Sequence, residues 1–252
     1  MASLTFEPAK RQLVLSEVPL QALFAAWLAA PPIAVGCAFV VGYTLHYRLL
    51  YDYFWDCRNV FLPSVSRVLN LPLERTLWNL LILFHIPLHT FVIIRQATVL
   101  GTNTHSRKNL LRSGASVSAA VSSVFLSSLA TVGEREDGIL HMVFFCGYTT
   151  TTAINSVLFT WLLHNSHIVE EKNTCARIRL VALLGFSISV PAISLFFVLH
   201  NVFCLPAAYE LFAIFEYATV LWIFALHACS WNLMGDVVVA VVLTRPEPSF
   251  RL

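Results

Sequence analysis

The sequence contains few charged residues. Charged residues make up 12% of its 252 residues, whereas hydrophobic residues make up 58%. A soluble domain carries about 25% charged residues, and in water it has no place for this much apolar surface. The chain is therefore predicted to be a polytopic membrane protein. Its net charge of +2 is too small to indicate a nucleic-acid partner, so none is expected.

Motifs that are typical of hydrolases, metalloenzymes and nucleotide-binding proteins are also absent. The chain has no GxSxG nucleophile elbow, no HExxH zinc motif and no glycine-rich phosphate loop. No metal site and no cofactor are predicted. Neither a long linker nor a repeat divides the chain, so residues 1–252 are expected to form a single transmembrane domain.

Six apolar stretches are long enough to cross a membrane as helices, which requires about 20 mainly apolar residues. They cover residues 22–46, 77–98, 114–132, 139–163, 178–199 and 208–231. The predicted fold is an all-α bundle of six transmembrane helices. The third stretch is rich in serine, and small hydroxyl residues let helices approach closely, so this stretch is expected in the interior of the bundle.

The basic residues of the loops predict the orientation of the bundle, because cytosolic loops are enriched in Lys and Arg. Eleven basic residues fall on one side and five on the other. The larger group comprises Lys10, Arg11, Arg95, Arg107, Lys108, Arg112, Lys172, Arg177, Arg179, Arg245 and Arg251, and the smaller comprises Arg48, Arg58, Arg67, Arg75 and Arg135. Both termini are therefore predicted to be cytosolic.

Two of the six cysteines, Cys57 and Cys204, fall in the loops on the non-cytosolic side. That side of a secretory-pathway membrane is oxidising, and disulfides persist there. We therefore expect a Cys57–Cys204 disulfide that ties the first of these loops to the start of the last span. The alternative is a pair of free thiols.

Ionisable residues within the spans are candidates for function, because placing them in a membrane is costly. Glu216 lies about eight residues inside the last span and His85 about eight residues inside the second, both counted from the lumenal end. At a rise of ~1.5 Å per residue, the two side chains lie at a similar depth. His46, His141 and His200 lie near the lumenal ends of their spans.

Such a set of side chains suits acid–base chemistry on an ester or on the head group of an amphiphile, because histidine titrates near neutral pH. The predicted catalytic residues are Glu216, His85, His200 and Asn201, and the predicted substrate-binding residues are Tyr217, His46 and His141. A simpler interpretation is that these polar groups only join helices by hydrogen bonds. Ser64 and Ser66 are weaker candidates as nucleophiles, because Pro-Ser more often marks a turn.

Several segments resemble the post-GPI-attachment-to-proteins factor 2 family, within the wider superfamily of FGF-receptor-activating protein and the damage-regulated autophagy modulators. They are Cys57 followed by FLPSVS, the Arg75-x-x-Trp78 approach to His85, and HNVFC, FAIFEY and ALHACSW within residues 200–231. The resemblance covers the whole chain. Two features depart from the family pattern and leave room for an altered substrate: Pro87 followed by Leu88-His89, and Asn232-Leu233.

The resemblance implies a multi-pass protein of the Golgi membrane, or of the endoplasmic reticulum membrane, that acts in lipid remodelling of glycosylphosphatidylinositol (GPI)-anchored proteins. The implied step is fatty-acid reacylation of the lyso-GPI lipid on the lumenal side. The implied partners are membrane lipid, GPI-anchored proteins, and an acyl donor or an acyltransferase. Besides an enzyme, two other roles stay open: a non-catalytic membrane adaptor, and a modulator of signalling or autophagy.

Overall fold

The computed structural model describes residues 11–51, 57, 60–100, 106–165, 173–235 and 237–245. Its helices in these ranges are α1 (Leu20–Leu45), α2 (Tyr47–Tyr51), α3 (Val65–Leu69), α4 (Pro72–Val99), α5 (Ser106–Thr131), α6 (Gly138–His164), α7 (Asn173–Asn201) and α8 (Ala208–Ala228). Six of them, all but α2 and α3, are long and apolar enough to cross a membrane. Each of the six overlaps one predicted span, so the prediction of six spans is confirmed. The predicted loop residues 52–56, 58 and 59, and Lys10, Lys172 and Arg251, lie outside the described residues.

Local hydrogen bonds explain where α6 begins and how the serine side chains of α5 are accommodated in an apolar helix. The Asp137 side chain accepts a hydrogen bond from the Leu140 backbone N–H (2.9 Å) at the start of α6, which is a usual role for Asp at this position. In the serine-rich helix α5, the hydroxyls of Ser118, Ser122 and Ser127 each donate to the backbone carbonyl three residues earlier. These hydroxyls are thus satisfied within their own helix.

A two-stranded antiparallel sheet, which the sequence did not predict, joins the two ends of the described chain. Strand β1 (Arg11–Pro19) pairs with strand β2 (Val238–Arg245), with Leu13 opposite Leu243. Because β1 precedes α1 and β2 follows α8, both ends of the described chain lie at one end of the bundle, which we call the terminal end. That this end faces the cytosol stays a prediction.

The long helices pack mainly in pairs along the chain: α1 with α4, α5 with α6, and α7 with α8, while α4 also joins α5. Gly185 allows α7 to approach α8 closely, since a Cβ at this position would overlap the Trp222 ring. Toward the terminal end, α1 and α4 share a buried apolar cluster that includes Leu20, Phe24, Trp27, Val92 and Met234. The α7–α8 hairpin is therefore a unit of its own beside the other four long helices.

Cys57 and Cys204 are bonded to each other, which confirms the predicted disulfide. The bond joins residues that are 147 positions apart, and it ties the turn between α7 and α8 to the segment between α2 and α3. The end of the bundle that holds this bond is called the disulfide end. The other four cysteines, which are Cys37, Cys146, Cys175 and Cys229, carry thiols.

Candidate functional site

A cavity lies inside the bundle, between α8 on one side and α1, α4, α5 and α6 on the other. Its volume is ≈ 160 Å³, and we call it the central cavity. At the disulfide end, its wall carries the polar residues Ser66, Asn70, Arg75, His141 and Glu216. Toward the terminal end, its wall is largely apolar and includes Leu28, Pro31, Leu126, Ile223 and Phe224. The cavity is thus polar at one end and apolar along most of its length.

Two helices give the same length for the central cavity. On α8 its lining runs from Glu216 to His227, a separation of eleven residues, and on α4 from Arg75 to His85, a separation of ten. At a rise of 1.5 Å per residue, these separations correspond to ~16 Å and ~15 Å along the two helices. The cavity is therefore elongated along the bundle.

Glu216 joins α8 to α3 at the polar end of the cavity, and it is only 6% exposed. Its Oε2 atom accepts a hydrogen bond from Val65 N (2.7 Å), and its Oε1 atom accepts from Ser66 N (3.2 Å) and Ser66 Oγ (2.5 Å). The first N–H groups of a helix have no partner within the helix and favour a nearby negative charge. Glu216 therefore holds the start of α3 against α8.

The two serines proposed as weak nucleophiles belong to this corner. Ser64 is the N-cap of α3, where its Oγ accepts a hydrogen bond from Arg67 N (3.2 Å) and another from the Tyr209 hydroxyl (3.1 Å). Tyr217, predicted to bind substrate, donates its hydroxyl hydrogen to the Pro63 carbonyl. Three side chains of α8, those of Glu216, Tyr209 and Tyr217, thus converge on residues 63–66.

Charged residues surround the polar end of the cavity. Arg75 donates to both carboxylate oxygens of Glu136 at 2.7 Å, and this pairing lowers the pKa of Glu136 to about 2. Glu134 accepts a longer hydrogen bond, of 3.4 Å, from Asn70 Nδ2. Burial, followed by the nearby negative charge of Glu216, raises the pKa of Glu134 to about 7. One carboxyl group beside the cavity therefore titrates near neutral pH.

Stacked rings close the central cavity toward the terminal end. The centroid of the Trp27 ring lies 5.0 Å from that of His85 and 4.8 Å from that of His227. His85 Nδ1 lies 2.7 Å from the Trp27 carbonyl oxygen, within hydrogen-bond distance. His89 also stacks on Trp27, at 5.0 Å, and pairs with the Ser123 hydroxyl at 2.6 Å. No three His, Cys, Asp or Glu side chains in the described part of the chain are grouped to hold a metal ion.

Three of the predicted site residues, Glu216, His85 and His141, line this one cavity. Each of them is also bonded to protein: Glu216 to α3, His85 to the Trp27 carbonyl, and His141 Nδ1 to the Val132 carbonyl at 2.7 Å. All three thus border one cavity, but Glu216 and His141 lie at its polar end and His85 lies beside Trp27 at the other end, so the shared depth predicted for Glu216 and His85 is wrong. Their predicted roles in catalysis or substrate binding stay predictions.

Three further predicted residues lie away from the lining of the central cavity. His46 Nδ1 pairs with Glu74 Oε1 at 2.7 Å. Asn201 donates to a backbone carbonyl of its own helix. His200 lines a smaller pocket at the disulfide end and packs edge-on against Tyr209, with ring centroids 5.1 Å apart. His46 and His200 thus contact other parts of the fold, whereas Asn201 is exposed and bonded within α7. The proposed contacts of all three with a substrate stay predictions.

The sequence interpretation missed four residues that shape the site: Trp27, Asn70, Glu74 and Glu134. Glu74 is fully buried at the start of α4, and a lone acid beside an apolar span is a signal that could have identified it. The charged loop that holds Glu134 was visible in the sequence, but its approach to Glu216 depends on the packing of α8. Nothing in the sequence marks Trp27 as part of a ring cluster with histidines of other helices.

Comparison with known proteins identifies the family. The profile described as the Frag1/DRAM/Sfk1/Cwh43P N-terminal domain matches residues 20–232, from the start of α1 to the turn after α8. The chain belongs to this family. This membership covers all six long helices and confirms the resemblance that the sequence motifs indicated.

Two relatives of this family member carry a functional name. The chain is 30% identical over 171 residues to "Post-GPI attachment to proteins factor 2" of Caenorhabditis elegans, and 30% identical over 171 residues to the protein of the same name in Caenorhabditis briggsae. Each match covers 64% of the chain and 65% of the length of the relative. No solved structure matches the chain.

Proposed function

We propose that this protein acts in the lipid remodelling of GPI-anchored proteins, at the step in which the lyso-GPI lipid receives a new fatty acid. The name of its two relatives supports a role after attachment of the GPI anchor. The observation that carries the proposal is the central cavity, because its polar end and long apolar wall match the two parts of a membrane lipid. Membrane lipid and GPI-anchored proteins are then its partners.

The length of the central cavity matches that of an acyl chain in one leaflet. The hydrocarbon core of a bilayer is about 30 Å thick, so the chains of one leaflet extend over about 15 Å. The lining of the cavity runs ~16 Å from Glu216 to His227. An ester or hydroxyl beside Ser66 and Arg75 would therefore leave the chain to fill the apolar part of the same cavity.

The proposed location is the Golgi membrane, or the endoplasmic reticulum membrane, with the disulfide end in the lumen. A disulfide persists in that oxidising compartment, and the Cys57–Cys204 bond lies at this end. The basic residues of the loops favour the opposite end for the cytosol. The polar end of the cavity would then face the lumenal leaflet, which is the side proposed for reacylation.

Two versions of the proposal differ in which protein catalyses the acyl transfer. In the enzymatic version, Glu216 with His200 would take the proton from the lyso-lipid hydroxyl as its oxygen bonds to the acyl carbon of a donor, and the donor's leaving group would depart with a proton, while Asn201 or Tyr217 orients the ester. His85, also predicted from the sequence, lies ~15 Å along α4 from Arg75 and is too far from that ester. In the adaptor version, the protein holds the lipid for a separate acyltransferase. The three hydrogen bonds that engage Glu216 in the fold favour the adaptor version. A modulator of signalling or autophagy remains the alternative outside lipid remodelling.

The proposed function is tested in cells that lack this protein, by mass spectrometry of the lipids on GPI anchors. We expect lyso-GPI anchors to accumulate and the wild type to restore them to diacyl form. Thr219 lines the cavity, so the larger side chain in Thr219→Phe would occupy part of it, and this variant should fail to restore them. Leu221→Phe is the matched control, because Leu221 is two residues away and 66% exposed on the outer face of α8. Unchanged anchor lipids in cells without the protein would contradict the proposal.

Purified protein separates the two versions. Reconstituted with an acyl donor and a lyso-GPI substrate, an enzyme converts the substrate, whereas an adaptor leaves it unchanged and copurifies with an acyltransferase. Glu216→Gln and His200→Gln extend this test to the proposed acid–base groups. Full restoration of anchor lipids by both variants at normal expression would remove these residues from the chemistry.

A further inference from the structure

The far end of the central cavity is closed by three rings from three different helices. Trp27 of α1 stacks on His85 of α4, and His227 of α8 meets Trp27 edge-on, with centroid distances of 5.0 Å and 4.8 Å. We call these three residues the ring floor. Because Trp27 is 1% exposed and the pairing of His85 Nδ1 with the Trp27 carbonyl oxygen joins α4 to α1, the ring floor is a packed part of the fold.

The space beyond the ring floor is filled by protein. Leu20, Phe24, Val92 and Met234 form one buried cluster with Trp27 on that side, each of them at most 3% exposed. The Phe24 ring lies 5.3 Å from that of Trp27. An occupant of the cavity would therefore stop at the ring floor rather than continue toward the terminal end.

We propose that the ring floor of Trp27, His85 and His227 sets the length of the acyl chain that the central cavity accepts. This inference rests on the proposed function. The chain enters with its ester or hydroxyl end beside Ser66 and Arg75, and its methyl end meets the three rings. The two independent helix spacings of ~15 Å and ~16 Å define the length available, which is close to the thickness of one leaflet.

The wall of the cavity offers a way to change this length in both directions. His227→Ala removes one ring of the floor and deepens the cavity. Ile223 lies seven residues from Glu216 on the same helix, or ~10 Å along α8, so Ile223→Phe narrows the cavity before the floor. Leu221→Ala is the matched control, because this residue of α8 is 66% exposed and does not line the cavity.

The test is the chain-length distribution of newly acylated GPI anchors, measured by mass spectrometry in cells that lack the protein and express each variant. One methylene in an apolar pocket changes selectivity by about tenfold or more. We therefore expect the ratio of longer to shorter chains to rise about tenfold with His227→Ala and to fall about tenfold with Ile223→Phe. Leu221→Ala should keep the wild-type ratio.

The outcomes separate this inference from the proposed function. If the wild type does not restore acylated anchors, the proposed function is wrong. If the wild type and both cavity variants restore them with one and the same chain distribution, the ring floor does not set the chain length.

A binding measurement on the purified wild type does not depend on how the variants fold. Lysophosphatidylinositols with saturated chains of increasing length are each titrated onto the protein, and their affinities are compared. We expect the affinity to rise with chain length up to one optimum and then to fall. An affinity that keeps rising with every added methylene would overturn the proposal, because no floor would then limit the chain.

Discussion

Glu216 accepts three hydrogen bonds at the start of α3, and both of its carboxylate oxygens take part. A glutamine has only one oxygen in its side-chain amide, so one backbone N–H of α3 loses its acceptor in Glu216→Gln. An unsatisfied buried donor costs about 1–3 kcal/mol. We therefore expect a lower apparent Tm for Glu216→Gln in thermal unfolding of the detergent-solubilised protein.

Glu210→Gln is the matched control for this change. Glu210 lies on the same helix and accepts one hydrogen bond, from Phe61 N at 3.2 Å, which the oxygen of a glutamine can also accept. We expect its Tm to stay close to that of the wild type. The same Tm for both variants would show that the contacts of Glu216 with α3 add little to stability.

Glu134 should make the stability of the protein depend on pH. Burial and the charge of Glu216 raise its pKa in the folded protein to about 7, above the ordinary value of 4.5. The folded state thus holds this proton more tightly than the unfolded state. The stability that Glu134 contributes is complete below about pH 4.5 and is lost as the pH rises through about 7.

The measurement is the Tm of wild type and Glu134→Gln between about pH 5 and about pH 8. The Tm of the wild type should fall over this range, and the variant should show a smaller fall. Glu136→Gln is the control, because the Arg75 guanidinium holds the pKa of Glu136 at about 2, outside the range. An equal fall in wild type and Glu134→Gln would contradict the proposed role of Glu134.

At the scale of elements, the α7–α8 hairpin is fastened to the other helices near both of its ends. At the disulfide end, the Cys57–Cys204 bond and the side chains of Glu216 and Tyr209 hold it. At the other end, Arg95 of α4 donates to the Leu233 carbonyl (2.7 Å) just after α8. The central cavity lies between these attachments, so they keep α8 at a fixed distance from α4.

Removal of the disulfide should loosen the hairpin. Loss of a disulfide that closes a long loop costs about 2–5 kcal/mol, and this bond closes a separation of 147 residues. We expect Cys57→Ser to lower the Tm and a reducing agent to lower the Tm of the wild type to a similar value. Cys37→Ser, at an exposed free cysteine, should have no such effect. A wild-type Tm that does not respond to reduction would contradict this view.

The six spans could be predicted from the sequence because their length and hydropathy are sufficient to identify them. At most helix ends, the predicted and observed boundaries differ by no more than about six residues. The strands β1 and β2 could not be predicted, because their pairing joins the two ends of the described chain, which come together only through the packing of the helices between them. The shared depth predicted for Glu216 and His85 is wrong, because His85 lies beside Trp27 and His227, at the opposite end of the cavity from Glu216. Their partners could not be predicted, because Val65 and Trp27 reach them only through packing of separate helices.

At the scale of the whole molecule, the central cavity divides the bundle into two parts that meet mainly near its ends. The cavity is polar where Ser66, Arg75 and Glu216 surround it and apolar beyond them. A soluble metabolite would leave the apolar wall without a partner, whereas a lipid satisfies both parts. The central claim is therefore that an acyl chain occupies this cavity.

Photo-crosslinking of the purified protein tests that claim most directly. The probe is a lysophosphatidylinositol with a photoactivatable group near the end of its acyl chain, and labelled residues are located by mass spectrometry. We predict labels at Trp27, Phe224 and His227, reduced by Thr219→Phe and unchanged by Leu221→Phe. Labels confined to outward-facing residues such as Leu221 and Ile188 would contradict the claim that the cavity holds an acyl chain.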